Sequence, residues 1–262
     1  MIKYNKLKSI IKNDTVALGM FHYSGSPAIV EILGYSGFDF VIFDTEHTPF
    51  TLETGQHIVR AADASNITPL IRVENNPSMI LKALDLGFQG VIIPRVKQEE
   101  EALRAVNAVK YPPIGERGSC PAVRASNYAS GDDAIEWSEY CKKANEEIFL
   151  SVLVEGKEGI SNLKKIASVE GVDNVFFGPV DLAQDLGLPR VDHPKIWEAV
   201  ENTLTSCRSM GISVATTVTP YPTIDWAKKL IERGFKILAF SSDLMVFHNR
   251  CKEIIQIKKS NS

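Results

Sequence analysis

Charged side chains follow several short apolar segments of the chain, and two of them have the chemistry of a metal site. Glu155 follows the segment IFLSVLV, and Asp181 lies just beyond NVFFG. Two carboxylates that converge without a partner repel each other, whereas a hard divalent cation such as Mg²⁺ or Mn²⁺ binds both and keeps positions open for substrate oxygens. One carboxylate capping a helix and the other forming a salt bridge is the alternative, and spacing alone does not separate the two.

A second group of ionisable residues has the composition of a proton-transfer site. Asp44 and His47 follow the segment FDFVIF, with Glu46 between them. A carboxylate within reach of an imidazole fixes its tautomer and raises its basicity, as a general base requires. The pattern predicts that His47 is the base and that Asp44 orients it. A histidine with a purely structural role is the alternative.

Arg72 lies near the end of the apolar segment TPLIRV, where a charge is costly unless it has a partner. Guanidinium groups bind carboxylates and enolates in a bidentate manner, so we expect Arg72 to stabilise an anionic substrate. A salt bridge to Glu46 or Glu155 is the alternative. A metal ion, an arginine and a basic histidine together suit carbon–carbon chemistry next to the carbonyl of a 2-oxo acid, through an enolate.

These residues follow a repeating pattern, in which short apolar segments alternate with amphipathic stretches. The segments are rich in β-branched and aromatic residues, as is typical of buried parallel strands. Eight such units predict an α/β fold, a (β/α)₈ barrel forming a single domain over residues 1–262, with the candidate residues at the carboxyl ends of the strands. A doubly wound open sheet is the alternative, but the turn FHYSGSP after the first segment matches its glycine-rich pattern poorly. The predicted strands are Thr15–Phe21, Phe38–Phe43, Thr68–Val73, Gly90–Pro94, Ile148–Val154, Asn174–Gly178, Ile212–Thr216 and Ile237–Ser241.

The composition narrows the remaining classes of function. The 262-residue chain is 44% hydrophobic and 23% charged, with a net charge of −3 and a mean hydropathy of −0.05. This balance gives no basic face for nucleic acid, and no apolar run is long enough to cross a membrane. The charged first residues do not resemble a secretory signal, and the four cysteines form no Cys-x-x-Cys motif. We therefore expect a cytoplasmic protein with reduced thiols.

Two segments depart from the alternating pattern. Tyr111–Gly131 is rich in proline and glycine and contains Arg124, so we expect a surface excursion, or a substrate lid or subunit contact, before a further helix at about Asp132–Asn145. A last helix over about Asp243–Ile257 closes the barrel or packs onto a partner subunit. We expect the polar tail at 258–262 to be frayed.

Five segments of the chain carry a resemblance to a known family. They are GFDFVIFDTEHTP at 37–49, PLIRVENNP at 69–77, YPPIGERGSCPAVRAS at 111–126, the Val-x-Val-Glu stretch that ends at Glu155, and VEGVDNVFFGPVDLAQDLG at 169–187. In this order and at this spacing they resemble the HpcH/HpaI family of class II, metal-dependent pyruvate aldolases. The resemblance covers most of the chain, from residue 15 to residue 250.

The resemblance implies a (β/α)₈ barrel that cleaves or forms 4-hydroxy-2-oxo acids, giving pyruvate and an aldehyde. By position, His47 matches the family's base and Asp44 the aspartate paired with it. Arg72 matches the arginine that stabilises the pyruvate enolate. Glu155 and Asp181 match the two ligands of a divalent metal, for which Mg²⁺, Mn²⁺ and Co²⁺ are all options. The resemblance also implies a homo-hexamer, a trimer of dimers, with the last helix exchanged between subunits.

Three positions depart from the family pattern near the expected substrate. Leu153 stands where the family commonly has glutamine, and Thr45 and Val180 are bulkier than the usual glycine and alanine. These departures leave the metal ligands intact, but they bear on the choice of substrate, including pyruvate itself as the donor. The residues that we expect to contact the substrate are Arg72, Leu153, Arg124, Gly178, Pro179 and Val180.

Two other functions stay open from the sequence. One is a related lyase for a malyl- or acyl-CoA-type substrate, in which Arg95, Arg117 and Arg124 are the candidate partners of the CoA phosphates. The other is a barrel that binds an oxo acid without turnover, which Leu153 motivates. The intact catalytic positions favour an enzyme whose partners are a small 2-oxo acid and an aldehyde.

Overall fold

The computed structural model describes residues 3–130 and 136–258 of the chain. Its centre is a closed barrel of eight parallel strands in chain order, in which the last strand also pairs with the first. This confirms the predicted (β/α)₈ barrel and excludes the open sheet. The strands are β1 Ala17–His22, β2 Phe40–Asp44, β3 Thr68–Arg72, β4 Gly90–Ile93, β5 Phe149–Val154, β6 Asn174–Phe177, β7 Ser213–Thr217 and β8 Ile237–Ser242.

Helices follow the strands and cover the outside of the barrel. Several begin with proline, whose fixed φ suits the first helical turn, and α4 is capped by Asn76, which accepts hydrogen bonds from the Ser78 and Met79 amides. The described helices are α1 Lys6–Lys12, α2 Pro27–Tyr35, α3 Leu52–Ser65, α4 Pro77–Leu86, α5 Glu99–Val109, α6 Trp137–Glu147, α7 Lys157–Ser161, α8 Leu163–Ala167, α9 Pro179–Asp185, α10 Pro194–Ser209, α11 Ile224–Arg233 and α12 Asp243–Ile255, with 3₁₀ turns at Arg124–Ala129 and Gln256–Lys258. None of these described helices has the length and apolar character needed to cross a membrane.

Two of the sequence-based helix predictions extend beyond the described residues. The stretch from Asp132 to residue 135 and the tail from residue 259 lie outside them, and α6 itself begins at Trp137. The last helix, predicted to Ile257, ends as an α-helix at Ile255 and continues as a 3₁₀ turn. The amino-terminal helix α1 was not predicted, and its Leu7 is fully buried in the hydrophobic cluster inside the barrel.

The core consists of two layers that alternate along each strand. One side of the strands packs inside the barrel, as Phe40, Ile42 and Leu153 do, and the other side packs against the helices, as Val41 and Phe43 do. This alternation is the pleat of a strand, in which successive side chains point to opposite faces. Because both faces are buried, the strands are apolar throughout, and this explains why their positions could be predicted well.

The ends of the strands differ from the prediction in a way that affects the site. The second strand was predicted to end at Phe43, but Asp44 is its last residue, and the first, seventh and eighth strands also extend by one residue to His22, Thr217 and Ser242. The register of the barrel therefore fixes the positions of these polar residues at the carboxyl ends of the strands. In that register Asp44 on β2 is the direct partner of Arg72 on β3.

Candidate active site

A cavity of about 230 Å³ lies among the carboxyl ends of the strands. Barrel enzymes carry their reacting groups at this end. Phe21, Leu153 and Phe176 form the apolar part of its wall. Most of the predicted site residues line it, namely His47, Arg72, Leu153, Glu155, Gly178, Pro179, Val180 and Asp181. The prediction that one barrel end brings these residues together agrees with this arrangement, while their roles stay a proposal.

Arg72 is held in a fixed orientation at the base of the cavity. Its Nε donates to Asp44 Oδ1 at 2.8 Å and its Nη2 to Asp44 Oδ2 at 2.6 Å, a bidentate pair. Burial opposes the charge of the guanidinium, but the hydrogen bonds and the charge of Asp44 outweigh burial and raise the pKa of Arg72. Asp44 is itself 0% exposed. A positive charge is thus permanently positioned beside the cavity.

The expected pair of Asp44 and His47 is not what the structure shows. Both Asp44 oxygens bind Arg72, because Asp44 belongs to the strand and faces its register partner. The carboxylate next to the imidazole is that of Glu46, whose Oε2 lies 3.8 Å from His47 Nε2. His47 lines the cavity mouth with a side chain that is 56% exposed. The acidic side chain beside the histidine is therefore that of Glu46, which lies between Asp44 and His47 in the sequence.

Glu46 also connects two arginines across the mouth of the barrel. Its oxygens lie 3.3 Å from Arg72 Nη1 and 3.2 Å from Arg95 Nε. The alternative reading of Arg72, a salt bridge to Glu46, is thus observed together with its exposure to the cavity. The signal in the sequence was the position of Glu46, two residues after Asp44 and next to His47 at the end of a strand.

The two predicted metal ligands stand on one wall of the cavity. Glu155 follows β5 and Asp181 lies in the first turn of α9, after β6. Burial, Asp181 and Glu46 together raise the pKa of Glu155 to about 7, against the smaller opposite effect of the Arg95 amide, which donates to Glu155 Oε1 at 3.0 Å. The raised pKa means that the negative charge at this wall lacks sufficient compensation from the described residues.

A close backbone approach fixes the position of Glu155. A Cβ atom added to Gly178 would come within 2.5 Å of Glu155 Cβ and 3.2 Å of its Oε2. Gly178 and Pro179 therefore form a buried floor under the carboxylate, and Val180 beside them is exposed at the cavity. Leu153 gives an apolar wall, as expected. Thr45 instead turns its hydroxyl to the Arg72 carbonyl oxygen, at 2.7 Å.

Arg124, which we expect to contact the substrate, does not line this cavity within its own chain, so its contact with the substrate stays a prediction. Its guanidinium binds Asp63 at 2.5 Å and the Leu86 carbonyl oxygen at 3.2 Å, at the carboxyl ends of α3 and α4. These helix ends lie at the opposite end of the barrel, because each helix runs back after its strand. Arg117 is likewise bound to Asp85 at 2.8 Å. Of the three arginines considered for CoA phosphates, Arg95 alone is then near the mouth.

Sequence reasoning also missed a buried network that attaches the last helix to the site. Asp243, the first residue of α12, accepts hydrogen bonds from the Tyr23 and Ser24 amides, and its Oδ2 lies 2.9 Å from His22 Nδ1. Burial raises the pKa of Asp243, but these contacts outweigh burial and lower it to about 2. Tyr23 in turn places its hydroxyl 3.4 Å from Arg72 Nη2. No local motif marks these contacts, since they join residues near the beginning of the chain to residues near its end.

The chain forms a closed barrel with charged groups at the carboxyl ends of its strands. This is the arrangement found in (β/α)₈-barrel enzymes. Residues 17–250 match the family model described as HpcH/HpaI aldolase/citrate lyase, and the chain belongs to this family. It is therefore an enzyme, a carbon–carbon lyase, and the resemblance inferred from its motifs is confirmed.

The matches to individual relatives cover nearly the full length of both chains. The 2-dehydro-3,6-dideoxy-6-sulfogluconate aldolase of Pseudomonas putida is 32% identical over 248 residues, 94% of each chain. The 5-keto-4-deoxy-D-glucarate aldolase of Citrobacter koseri is 32% identical over 252 residues, 95% of each chain. The crystal structure of an HpcH/HpaI aldolase from Desulfitobacterium hafniense superposes with a TM-score of 0.89 at 27% identity, covering 97% of this chain and 96% of that one.

Proposed function

We propose that the protein is a divalent-metal-dependent aldolase that cleaves, or in reverse forms, a 4-hydroxy-2-oxo acid, giving pyruvate and an aldehyde. The observation that carries this proposal is the meeting of a fixed guanidinium, Arg72, with the carboxylates Glu155 and Asp181 around one small cavity. The aldolases to which the chain is similar support the reaction type. The cavity of about 230 Å³ suits a substrate of small-molecule size.

The donor set on the carboxylate wall fits a hard divalent cation. Among the described residues no group of three or more histidine, cysteine, aspartate or glutamate side chains could hold a metal ion, so Glu155 and Asp181 are proposed as a pair. Two carboxylates leave the other positions to substrate oxygens and water, which suits Mg²⁺ or Mn²⁺, and Co²⁺ as a further option. Burial and the neighbouring carboxylates of Asp181 and Glu46 raise the pKa of Glu155, and a bound cation would offset both effects. When bound, the cation supplies Lewis acidity at the substrate's carboxylate and 2-oxo group.

Arg72 is placed to stabilise the charge that develops during cleavage. As the C3–C4 bond breaks, its electron pair moves into the C2 oxygen and produces an enolate. We assign the guanidinium to this oxygen because Arg72 lines the cavity while Asp44 fixes the plane of the group. A donor held in advance costs no reorganisation when the charge appears. Asp44 thus acts as a positioning residue for Arg72.

His47 is the proposed acceptor of the proton from the 4-hydroxyl group. It lines the cavity mouth, where the aldehyde half of the substrate would lie. Loss of this proton lets the oxygen become the aldehyde carbonyl as the C3–C4 bond breaks. The imidazolium formed in this way lies 3.8 Å from the Glu46 carboxylate. Water then protonates C3 of the enolate to complete pyruvate, and the imidazolium returns its proton to the solvent, so that His47 is neutral again.

We also propose that the chain forms a homo-oligomer, with the hexamer of the family resemblance as the expected state. The helix α12 carries exposed apolar side chains, among them Leu244 and Phe247, the latter 71% exposed. Exposed apolar surface of this kind marks interaction sites in soluble proteins.

The four cysteines are free thiols, which supports a reducing, cytoplasmic location. The barrel and the family match span nearly the same residues, which supports one domain.

The proposal is tested by exchange of the methyl protons of pyruvate in D₂O, followed by NMR. This measurement reports the enolate without knowledge of the aldehyde. With Mg²⁺ or Mn²⁺ we expect exchange in the wild type, and a loss of at least about 100-fold in Glu155→Gln and Arg72→Lys. Matched controls are Glu198→Gln and His57→Ala, which replace exposed side chains on outer helices and leave exchange unchanged.

A substitution of His47 tests proton removal from the 4-hydroxyl group, which is needed for cleavage. We expect His47→Ala to slow cleavage of a 4-hydroxy-2-oxo acid by about 100-fold or more, within the range of general-base catalysis. Exchange that continues at full rate after Glu155→Gln, or that needs no added metal in chelator-treated protein, would contradict the metal-dependent mechanism. A wild type that binds metal but exchanges no pyruvate proton would show that pyruvate is not the donor.

A further inference from the structure

Strand β8 is irregular at the point where it reaches the cavity. Gly19 of β1 pairs with Ala239, and two residues later Phe21 pairs with Ser242, so β8 contains an extra residue, as in a β-bulge. Ser241 in this stretch has a φ of 60°, in the left-handed region that favours glycine. Such a backbone costs about 1 kcal/mol or more for other residues. The sequence nevertheless places a serine there.

The Ser241 hydroxyl is buried without a partner. The residue is 2% exposed and lines the cavity, and its Oγ makes no hydrogen bond within the described part of the chain. Buried hydroxyl groups are normally hydrogen-bonded, and one left unpaired destabilises the fold. Glycine would remove both the strain and the unpaired group. The Oγ atom is inaccessible in the present rotamer, so a ligand in the cavity completes the hydrogen bond after the side chain rotates about its Cα–Cβ bond.

Other hydroxyl groups lie on the same side of the cavity. Thr217 and Thr219, at and just after the end of β7, hydrogen-bond to each other at 2.7 Å, and this uses one of their two hydrogens. Ser242 Oγ accepts from the Met245 amide at 3.3 Å and keeps its own hydrogen. We call Thr217, Thr219, Ser241 and Ser242 the hydroxyl wall. It offers neutral donors and acceptors at adjacent positions.

The charges around the cavity indicate what the hydroxyl wall accepts. In the described lining, Glu155 and Asp181 are acidic, and the guanidinium of Arg72 is already bound by Asp44. The wall itself holds no cation to pair with a second anionic group. Neutral hydroxyl groups, which both donate and accept, match it better.

We propose that the hydroxyl wall binds the hydroxyl groups of the aldehyde half, so that the enzyme selects a polyhydroxylated aldehyde over a plain alkanal. Ser241 is the main specificity-determining residue. This inference rests on the proposed function, since it concerns the second substrate of the same reaction. It needs no change in how the oxo acid is bound.

The test compares two aldehydes in condensation with pyruvate, using the intact enzyme with Mg²⁺ or Mn²⁺. The readout is the ratio of kcat/KM for D-glyceraldehyde to that for propanal. We expect Ser241→Gly to lower this ratio by about tenfold, the effect of one lost hydrogen bond, and Thr217→Val to lower it by a similar factor. Pyruvate proton exchange stays at the wild-type rate in both. Ser65→Ala removes a buried hydroxyl bound to the Ala61 carbonyl in α3 and leaves the ratio unchanged.

The outcomes separate this inference from the proposed function. A melting temperature of Ser241→Gly at or above that of the wild type excludes misfolding as the cause, because glycine suits the left-handed φ. An unchanged ratio in Ser241→Gly and Thr217→Val, with exchange intact, overturns the hydroxyl wall alone. Absence of pyruvate exchange in the wild type overturns the proposed function and this inference with it.

Discussion

Asp44 and Arg72 are direct partners in the register of neighbouring strands, and both carboxylate oxygens accept hydrogen bonds from the guanidinium. The pair is almost completely buried beneath the cavity. Paired charges of this kind are costly to separate, because the remaining charge stays buried without compensation. The position of the proposed enolate-stabilising group is thus built into the sheet rather than into a loop.

Asp44→Asn tests this relationship through stability. The amide keeps the shape of the side chain but removes the charge, so we expect the free energy of unfolding to fall by about 3 kcal/mol. Urea denaturation followed by circular dichroism measures it. Glu46→Gln is the comparison and costs less, because Glu46 is less buried than Asp44 and contacts Arg72 and Arg95 through one oxygen each, at 3.3 and 3.2 Å. Equal losses in the two variants would contradict the special position of Asp44.

The raised pKa of Glu155 gives metal binding a defined pH dependence. With the pKa at about 7, a proton must leave before the carboxylate can bind a cation. We therefore expect the apparent affinity for Mn²⁺ to fall by about tenfold per pH unit below pH 7 and to level off above it. Titration calorimetry in buffers of different ionisation enthalpy measures the affinity and the released proton. An affinity independent of pH between 5 and 8 would contradict the assignment.

The same pKa predicts a stability effect in the metal-free protein. A carboxylate whose folded pKa lies above its unfolded value stabilises the fold at low pH, and this contribution is lost as the pH rises through about 4.5 to 7. The melting temperature of metal-free Glu155→Gln should therefore be higher than that of the metal-free wild type at pH 8. The difference between the two melting temperatures should vanish at pH 4. If the wild type is the more stable protein at pH 8 without metal, the charge at this wall is already compensated.

Gly178→Ala tests the floor under the carboxylate. The new Cβ would meet Glu155 Cβ at 2.5 Å, a distance that forces the glutamate to move. We expect metal affinity to fall by at least about tenfold, as for changes that disturb the orientation of ligands. Gly118→Ala is a matched control, since its Cβ meets Leu81 at an ordinary 3.5 Å. Unchanged Mn²⁺ affinity in Gly178→Ala would place the metal elsewhere.

Phe247→Glu tests the proposed oligomer. A charge in the apolar face of α12 opposes burial against another subunit, because an unpaired charge is costly to desolvate. We expect light scattering to show a mass close to 29.0 kDa for the variant and a multiple of it for the wild type. Glu253→Gln, on the same helix in an ion pair with Arg250, serves as the control. A wild type that is itself monomeric at micromolar concentration would refute the oligomer.

The fold was predictable because each strand is apolar on both faces and its ends are marked by polar residues. The eight predicted segments overlap the eight strands, and α4 and α5 begin and end where amphipathic patterning and capping residues place them. The candidate residues other than Arg124 could be predicted to meet, since they lie at or just after the ends of strands of one parallel barrel. Their order along the chain was sufficient for that conclusion.

The contacts inside the site could not be predicted in the same way. Which carboxylate faces Arg72 depends on the register between β2 and β3, and a difference of one residue at the end of β2 moves Asp44 from a loop into the sheet. Arg124 has a plausible type and position in the sequence, but its segment folds back to the ends of α3 and α4. Such tertiary placement has no local signature.

Asp243 joins parts of the chain that are made at very different times. Its partners Tyr23 and Ser24 lie 220 and 219 residues earlier, so the contact forms only once β8 and the start of α12 have left the ribosome. A fragment released before that point contains Arg72, Glu155 and Asp181 but cannot close the barrel around them. Incomplete translation products therefore contain the proposed site residues without the closed barrel that brings them together.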